Sequence, residues 1–138
     1  MFKKIILVLL LGTLVSACST IQTVTPVQRM QDKNICIVQD LAVREGFLNT
    51  YRQVLQEKGY AVKLLSKGAA LDTCPLVTTY YALWSWDLAI YMSYVQIKVY
   101  RKGILAGETL YDSRNNPGFS KFVKGNEKIR ELANRLFL

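Results

Sequence analysis

The stretch that decides the fold is LVTTYYALWSWDLAIYMSYVQIKVYRKGILAGETLY, residues 76–111. It is rich in Val, Thr, Tyr and Trp, which favour extended structure. Asp87-Leu88 marks a turn, and Lys102-Gly103 is typical of a tight hairpin. Within residues 89–101, apolar odd positions alternate with polar or tyrosine even positions, as on a strand with one buried and one wet face. The stretch therefore predicts three consecutive antiparallel strands, over residues 76–86, 89–101 and 104–111.

The residues upstream predict a strand, a helix and a second strand. Residues 34–40 centre on a β-branched apolar run, and residues 60–65 form another extended segment. Between them, Arg44 to Lys58 carries apolar residues with the spacing of one helical face, followed by Gly59 as a helix-ending residue. The apolar positions of this face are Phe47, Leu48, Tyr51, Val54 and Leu55.

The residues downstream predict a loop and a closing helix. Residues 112–118, DSRNNPG, gather turn formers. A second helical face follows from about Asn126 to the last residue, with Ile129, Leu132 and Leu136 on it. The element order β-α-β-β-β-β-α predicts an α+β two-layer sandwich, with a mostly antiparallel sheet and two helices on one face. Residues 34–138 form the single domain of this prediction.

The first 18 residues have the pattern of an export signal. Lys3-Lys4 is a short basic segment, residues 5–11 are apolar, and small residues precede Cys18. The apolar run is shorter than the roughly 20 residues that a spanning helix needs. Val15-Ser16-Ala17-Cys18 resembles the lipobox of small outer-membrane lipoproteins of Gram-negative bacteria. The alternatives are an ordinary secretory signal with an incidental Cys, or an uncleaved membrane anchor.

The lipobox resemblance implies a cleaved signal peptide, residues 1–17, and a Cys18 that carries acyl chains, palmitate included. Several chains together give a durable membrane anchor. By the sorting rule of enterobacterial lipoproteins, Asp after the Cys retains a protein in the inner membrane. Ser19 therefore implies the outer membrane, facing the periplasm. Residues 18–33 are polar, contain Pro26 and show no sustained period, which predicts a flexible tether between the anchor and the domain.

Two further cysteines, Cys36 and Cys74, remain after Cys18. Export leads to an oxidising compartment, where paired thiols usually form disulfides. Both lie in or beside strand-like runs that can be neighbours in one sheet, so we expect a Cys36–Cys74 disulfide; two buried free thiols are the alternative. With two Cys and no His in 138 residues, a metal site is not expected.

The charge of the chain is basic. Loss of residues 1–17 takes Lys3 and Lys4 and no acid, which leaves 16 basic and 10 acidic residues of the 18 and 10 in the whole chain. In the periplasm such a protein can meet lipopolysaccharide phosphates, anionic lipids or peptidoglycan carboxylates. The basic residues are scattered, so a plain solvated surface is the alternative. Nucleic acid is not an expected partner, because export separates the chain from it.

Aromatic residues provide the candidate site. Tyr80, Trp84 and Trp86 share one parity on their strand, and Tyr94 and Tyr100 share the polar parity of the next. If helices cover the other face, these rings and Lys98 form one exposed surface for a partner or ligand. Tyr and Trp suit this role because they bury a large area and still offer a polar group. Alternatively, the rings complete the core or stack across strands.

The sequence offers little for catalysis. It contains no nucleotide-binding glycine motif and no CxxC, and no cofactor is expected. Ser66-Lys67 and Ser120-Lys121 follow no known catalytic spacing. We expect a non-enzymatic interaction module that binds another envelope protein or itself, through the sheet face or through the loops around residues 66–73 and 112–118. A carrier of a lipid or glycan at the aromatic face is the alternative, and a cell-wall enzyme is a more remote one. The domain resembles the lipopolysaccharide-assembly lipoprotein and the activators of peptidoglycan synthases in general pattern only, without signature residues.

Overall fold

The computed structural model of the chain describes residues 20–138 as a six-stranded sheet with two helices. The helices are α1 (Glu45–Glu57) and α2 (Gly125–Leu136), and a 3₁₀ turn spans Phe119–Lys121. The strands are β1 (Ile21–Thr25), β2 (Asn34–Val38), β3 (Ala61–Leu65), β4 (Leu76–Asp87), β5 (Ala89–Arg101) and β6 (Ile104–Asp112). The predicted signal peptide, Cys18 and Ser19 lie outside the described residues.

The sheet has the strand order β1-β6-β5-β4-β2-β3. β2 runs parallel to both β3 and β4. The crossover to β3 runs through α1, and the loop of residues 66–75 then returns the chain to begin β4 on the other side of β2. The other three pairings are antiparallel. From β2 onward the order is the predicted β-α-β-β-β-β-α, and the α+β class with a mostly antiparallel sheet is confirmed. Gly59, with φ of +89°, follows α1 as predicted.

The predicted tether differs from the structure. Ile21–Thr25 forms β1, the edge strand beside β6, and Val27 is buried in the core. The Val27 amide donates a hydrogen bond of 2.8 Å to the Leu136 carbonyl at the end of α2. Four of the five residues of β1 are β-branched, which favours extended structure, and half-buried positions alternate with exposed ones along it, as on an edge strand. The strand has no apolar run that would distinguish it from a tether in the sequence, and the domain begins earlier than residue 34.

Both helices contribute their apolar stripes to one core beneath the sheet. Phe47, Tyr51 and Leu55 of α1 and Leu132 of α2 are buried there against β2, β4, β5 and β6. The Tyr51 hydroxyl hydrogen-bonds the Thr78 hydroxyl at 2.7 Å inside this core, and burial raises the pKa of Tyr51. Hereafter, the side of the sheet that faces the helices is called the covered face. Within residues 20–138, neither helix is long and apolar enough to cross a bilayer.

Candidate functional site

On the opposite side of the sheet, called here the open face, neither α1 nor α2 is packed, and the 3₁₀ turn contacts only the end of it at the β4–β5 hairpin. Strand alternation and the pairing register define its members. On the three central strands they are Thr79, Tyr81 and Leu83 of β4, Tyr94, Gln96, Lys98 and Tyr100 of β5, and Glu108, Leu110 and Asp112 of β6. All of these side chains are partly or fully exposed, whereas most of their neighbours along each strand are buried. The open face is therefore a mixed polar and aromatic surface.

Two tyrosines and an arginine form a cluster on the open face, at the point where β6 ends. The rings of Tyr81 and Tyr94 meet edge to face, with centroids 6.0 Å apart. The Arg114 guanidinium lies 4.5 Å from the Tyr94 ring centroid, as in a cation–π contact. Asp112 fixes this arginine by accepting hydrogen bonds of 2.9 Å from Nε and 2.8 Å from Nη2. The Arg114 hydrogen bonds lower the pKa of Asp112, and the same bonds raise the pKa of Arg114.

The predicted single aromatic surface is wrong, because its members lie on both faces. Tyr94, Lys98 and Tyr100 lie on the open face. Tyr80 pairs with Ile97 and points to the covered face, where its ring stacks on Phe47 at 5.0 Å. Its hydroxyl accepts a 3.1 Å hydrogen bond from the Asp40 amide, and burial raises its pKa. Tyr80 is therefore a structural residue of the core.

Trp84 and Trp86 lie in two further environments. Trp84 is half-buried against the core, with the Arg44 guanidinium 5.0 Å from its ring centroid. Trp86 is 73% exposed near the turn of the β4–β5 hairpin. This turn is at Leu88, whose φ of +62° is in the left-handed region. Neither tryptophan belongs to the Tyr81–Tyr94 cluster.

A β-bulge at Ser93 explains the error. Counting back from the turn, Asp87 pairs with Ala89 and Trp84 pairs with Met92, but Leu83 pairs with Tyr94. Without the extra residue, Tyr80 would pair with an even-numbered residue of β5 and would share the face of Tyr94. A one-residue shift moves every following side chain to the other face. The Ser93 hydroxyl, which bonds Ser85 at 2.7 Å, holds this bulge.

Sequence reasoning missed the two partners of Tyr94. Tyr81 is 43% exposed on the open face, and Arg114 comes from the loop after β6. The DSR tripeptide of residues 112–114 contained a usable signal. An Asp followed two residues later by a basic side chain can accept both the backbone amide and the guanidinium, as Asp112 does from Arg114.

The predicted Cys36–Cys74 disulfide is confirmed, with the two Cα atoms 6.1 Å apart. Cys36 is buried on the open side of β2, beside Val77 of β4. Neither Cys36 nor Cys74 belongs to the main hydrophobic cluster between the sheet and the helices. The bond therefore ties the loop between β3 and β4 to one end of the open face.

A groove of about 440 Å³ lies elsewhere, along the loop that joins β2 to α1. Asp40, Leu41, Arg44, Leu48 and Tyr80 line it. It is open to solvent and lies apart from the Tyr81–Tyr94 cluster. Within residues 20–138, no three His, Cys, Asp or Glu residues are grouped so as to hold a metal ion.

No protein-family model and no curated protein sequence matches the chain. Two solved structures resemble its fold, both of PelC from Paraburkholderia phytofirmans, described as dodecamers. One aligns with a TM-score of 0.58 and 12% identity over 86% of this chain and 98% of that chain. The other, a single-substitution variant, aligns with a TM-score of 0.54 and 9% identity over 86% and 94%. At these identities, the likeness concerns the fold.

Proposed function

We propose that this protein is a lipid-anchored, non-enzymatic module on the periplasmic side of the outer membrane, and that it associates with copies of itself through the open face. The observation that carries the proposal is the Tyr81–Tyr94–Arg114 cluster on a sheet face that neither α1 nor α2 covers. Tyrosines and arginines that become buried when a partner binds supply much of the binding energy at many protein interfaces.

The open face is prepared for a protein surface more than for a small ligand. Its side chains stand on adjacent strands of one sheet, so cross-strand neighbours form one continuous surface. Arg114 is already held by Asp112, so little side-chain freedom is lost when a partner covers it. Lys98 and Glu108 are direct cross-strand neighbours of opposite charge at the edge of the cluster. An aromatic centre with a charged margin is the usual arrangement of a binding patch.

Self-association is favoured over a different envelope partner by the fold comparison. The similar PelC chains are dodecamers. A closed ring needs each copy to present two different surfaces to its neighbours. The open face is one such surface on this chain.

Light scattering on the unlipidated chain from Ser19 onward tests self-association. We expect an oligomer at micromolar concentration, and a shift to monomer in Tyr94→Ser, which removes the ring beneath Arg114. Leu41→Ser is the matched control, because Leu41 is exposed in the β2–α1 loop, outside the open face. A wild-type monomer at all concentrations, or a Tyr94→Ser oligomer of unchanged mass, would contradict the proposal.

The anchor has its own test. Mass spectrometry of the mature full-length product should show an acylated Cys18 at the amino terminus, and Cys18→Ser should release the protein from the membrane fraction. Asp in place of Ser19 should move the lipidated protein to the inner membrane. A mature chain that starts elsewhere or lacks acyl groups would remove the anchor from the proposal and leave the open face unaffected.

The second candidate is the carrier of a lipid or glycan. One observation favours it, namely the open groove of about 440 Å³ beside Leu41, Leu48 and Tyr80. This volume is in the range of small-molecule sites. Its location would move the ligand from the predicted aromatic face to the β2–α1 loop. Lipid or glycan that co-purifies with wild type and is lost in Leu48→Ser, but not in Tyr94→Ser, would favour this function.

A further inference from the structure

The end of the β4–β5 hairpin exposes a cluster of large apolar side chains. Trp86 is 73% exposed, Leu88 79% and Ile90 59%, and Phe119 of the nearby 3₁₀ turn is 82% exposed. These four residues are called the apolar tip. Isolated apolar side chains at a surface are ordinary, but a group that includes a tryptophan and a phenylalanine indicates an interaction site.

The apolar tip is held in place by the structure beneath it. The Lys121 ammonium forms an ion pair with Asp87 of the hairpin, although the Lys121 side chain itself is buried. It also lies 5.4 Å from the ring centroids of both Tyr91 and Phe122. Tyr91 and Phe122 meet edge to face at 5.4 Å. The hairpin and the 3₁₀ turn are therefore joined, and the tip is a fixed feature of the domain.

The chain enters the fold beside this tip. Ile21, the first residue of β1, pairs with Asp112, at the end of the sheet from which the β4–β5 hairpin extends. Asn116 donates 3.0 Å and 2.9 Å hydrogen bonds to the hydroxyls of Thr20 and Ser120. Asn116 thus bridges Thr20 to Ser120 in the 3₁₀ turn. Cys18 is only two residues before Thr20, a reach of at most about 7 Å.

We infer that the apolar tip enters the same bilayer that holds the acyl chains of Cys18. The inference rests on the proposed lipid anchoring. A lipid anchor so close to Thr20 brings the tip to the membrane surface, and it does not allow the domain to stand away on a long tether. Trp is enriched at the headgroup level of bilayers, and Leu, Ile and Phe prefer the acyl region below it.

This contact also orients the domain. β5 begins at the tip and ends at the β5–β6 hairpin, 13 residues away, which corresponds to about 40 Å of strand. With the tip in the bilayer, the strands extend away from the membrane surface, and the open face is directed parallel to the membrane plane. The open face of one copy can then meet a different surface of the next copy on the same membrane.

Tryptophan fluorescence of the full lipidated protein in phosphatidylethanolamine–phosphatidylglycerol vesicles tests the inference, because the chain has only two tryptophans. In Trp84→Phe, the remaining emission comes from Trp86. We expect lipids brominated in their acyl chains to reduce this emission about twofold or more, as for an interfacial tryptophan. Trp86→Phe is the matched control, since it leaves only Trp84 beneath Arg44, and its emission should not change.

The outcomes separate this inference from the proposed function. Quenching of Trp86 but not Trp84 supports it. An acylated Cys18 with an unquenched, water-exposed Trp86 overturns the inference and leaves the anchor in place. A Trp86 that is shielded from water yet unquenched by bromine is covered by protein, and this also overturns it. A chain without acyl groups removes the anchor itself, and the inference with it.

A second pair of variants guards against a folding defect in the tryptophan mutants. Leu88→Asp, in the Trp84→Phe background, should lower the quenching of Trp86 by the brominated lipids. Ile104→Asp changes a comparably exposed residue in the β5–β6 hairpin, at the opposite end of β5, and should leave that quenching unchanged. Equal effects of the two substitutions would overturn the inference.

Discussion

Tyr80 and Tyr81 are consecutive residues of β4, yet the two faces of the sheet give them opposite roles. Tyr80 is 6% exposed, stacks on Phe47 and accepts a hydrogen bond from the Asp40 amide. Tyr81 is 43% exposed and touches Tyr94 only edge to face. The difference shows that residue type does not assign a function here. The side of the sheet does, and a single bulge decides the side.

The largest effect expected from this comparison is on stability. Tyr80→Ala should lower the free energy of unfolding by about 3–5 kcal/mol, because it empties a core site and leaves the Asp40 amide without its acceptor. Tyr81→Ala should cost about 1 kcal/mol, the scale of one aromatic pair. Urea unfolding of the two variants measures both. Equal costs would mean that the two faces do not differ as described.

For self-association, we expect the opposite ranking: a change at Tyr81 should matter more than a change at Tyr80. Tyr81→Ala removes a ring from the proposed interface and should raise the dissociation constant of the oligomer. Tyr80→Phe keeps the stacked ring of the core and should not change it. Light scattering at several concentrations separates the two effects. An effect of Tyr80→Phe on association with none of Tyr81→Ala would place the interface on the covered face.

The next largest effect on stability is expected from loss of the disulfide, which lies on the open side of β2. It closes a loop with a sequence separation of 38 residues. In the chain-entropy model, such a bond contributes about 3–4 kcal/mol. Cys36→Ala with Cys74→Ala should lose most of this stability, and a reducing agent acting on wild type should cause a similar loss. Insensitivity of the wild type to reduction would show that the thiols are not paired in solution.

Much of the fold was predictable because it follows from periodicity. The helical spacing from Phe47 to Leu55 and the turn at Lys102-Gly103 are local signals, and the structure agrees with both. β1 was not predictable in this way. Its residues are mostly polar, and it becomes a strand because β6 offers an unpaired edge, a partner about 90 residues away in sequence. A long-range partner leaves little trace in a local pattern.

The site was less predictable, because it depends on register. The alternation of β5 correctly indicates an open face with Tyr94, Lys98 and Tyr100. The corresponding alternation of β4 gives no information on how the two strands align. Ser93, which forms the bulge, stands in a continuous strand-like run and carries no turn signal. The partners of Tyr94 could therefore be named only once the bulge was seen.

Two glycines, one at the edge of the covered face and one in α1, should respond in opposite ways to substitution by Ala. A Cβ at Gly107 of β6 would lie 2.7 Å from Val27 Cγ2 and 2.9 Å from the Thr25 carbonyl oxygen, where the chain leaves β1 for the core. Gly107→Ala should therefore cost about 1–3 kcal/mol, as overpacking does. In α1, a Cβ at Gly46 would meet nothing within 4 Å. Gly46→Ala should stabilise the protein by up to about 1 kcal/mol, and thermal unfolding of both variants should show opposite signs.

The smallest effect expected is that of the ion pair on the open face, and it depends on pH. The hydrogen bonds from Arg114 lower the pKa of Asp112 below its ordinary value of 3.8 in the folded protein. The ionised carboxylate thus stabilises the fold at every pH above the unfolded-state pKa. This contribution disappears as pH falls through the lower, folded-state pKa. The unfolding free energies of wild type and Asp112→Asn should therefore differ by a constant amount from about pH 5 to 8 and converge below about pH 4.

Arg114→Ala is the matched control for this pair. It removes the hydrogen-bond donor, so the pKa of Asp112 should return toward its ordinary value. In the Arg114→Ala background, the effect of Asp112→Asn on the unfolding free energy should therefore no longer change between about pH 5 and 3. Because Arg114 is half-exposed, added salt should weaken the effect. A difference that grows as the pH falls would mean that Asp112 stabilises the fold in its protonated form. In that case, the carboxylate would not hold Arg114 over Tyr94, and the centre of the proposed interface would not be preformed.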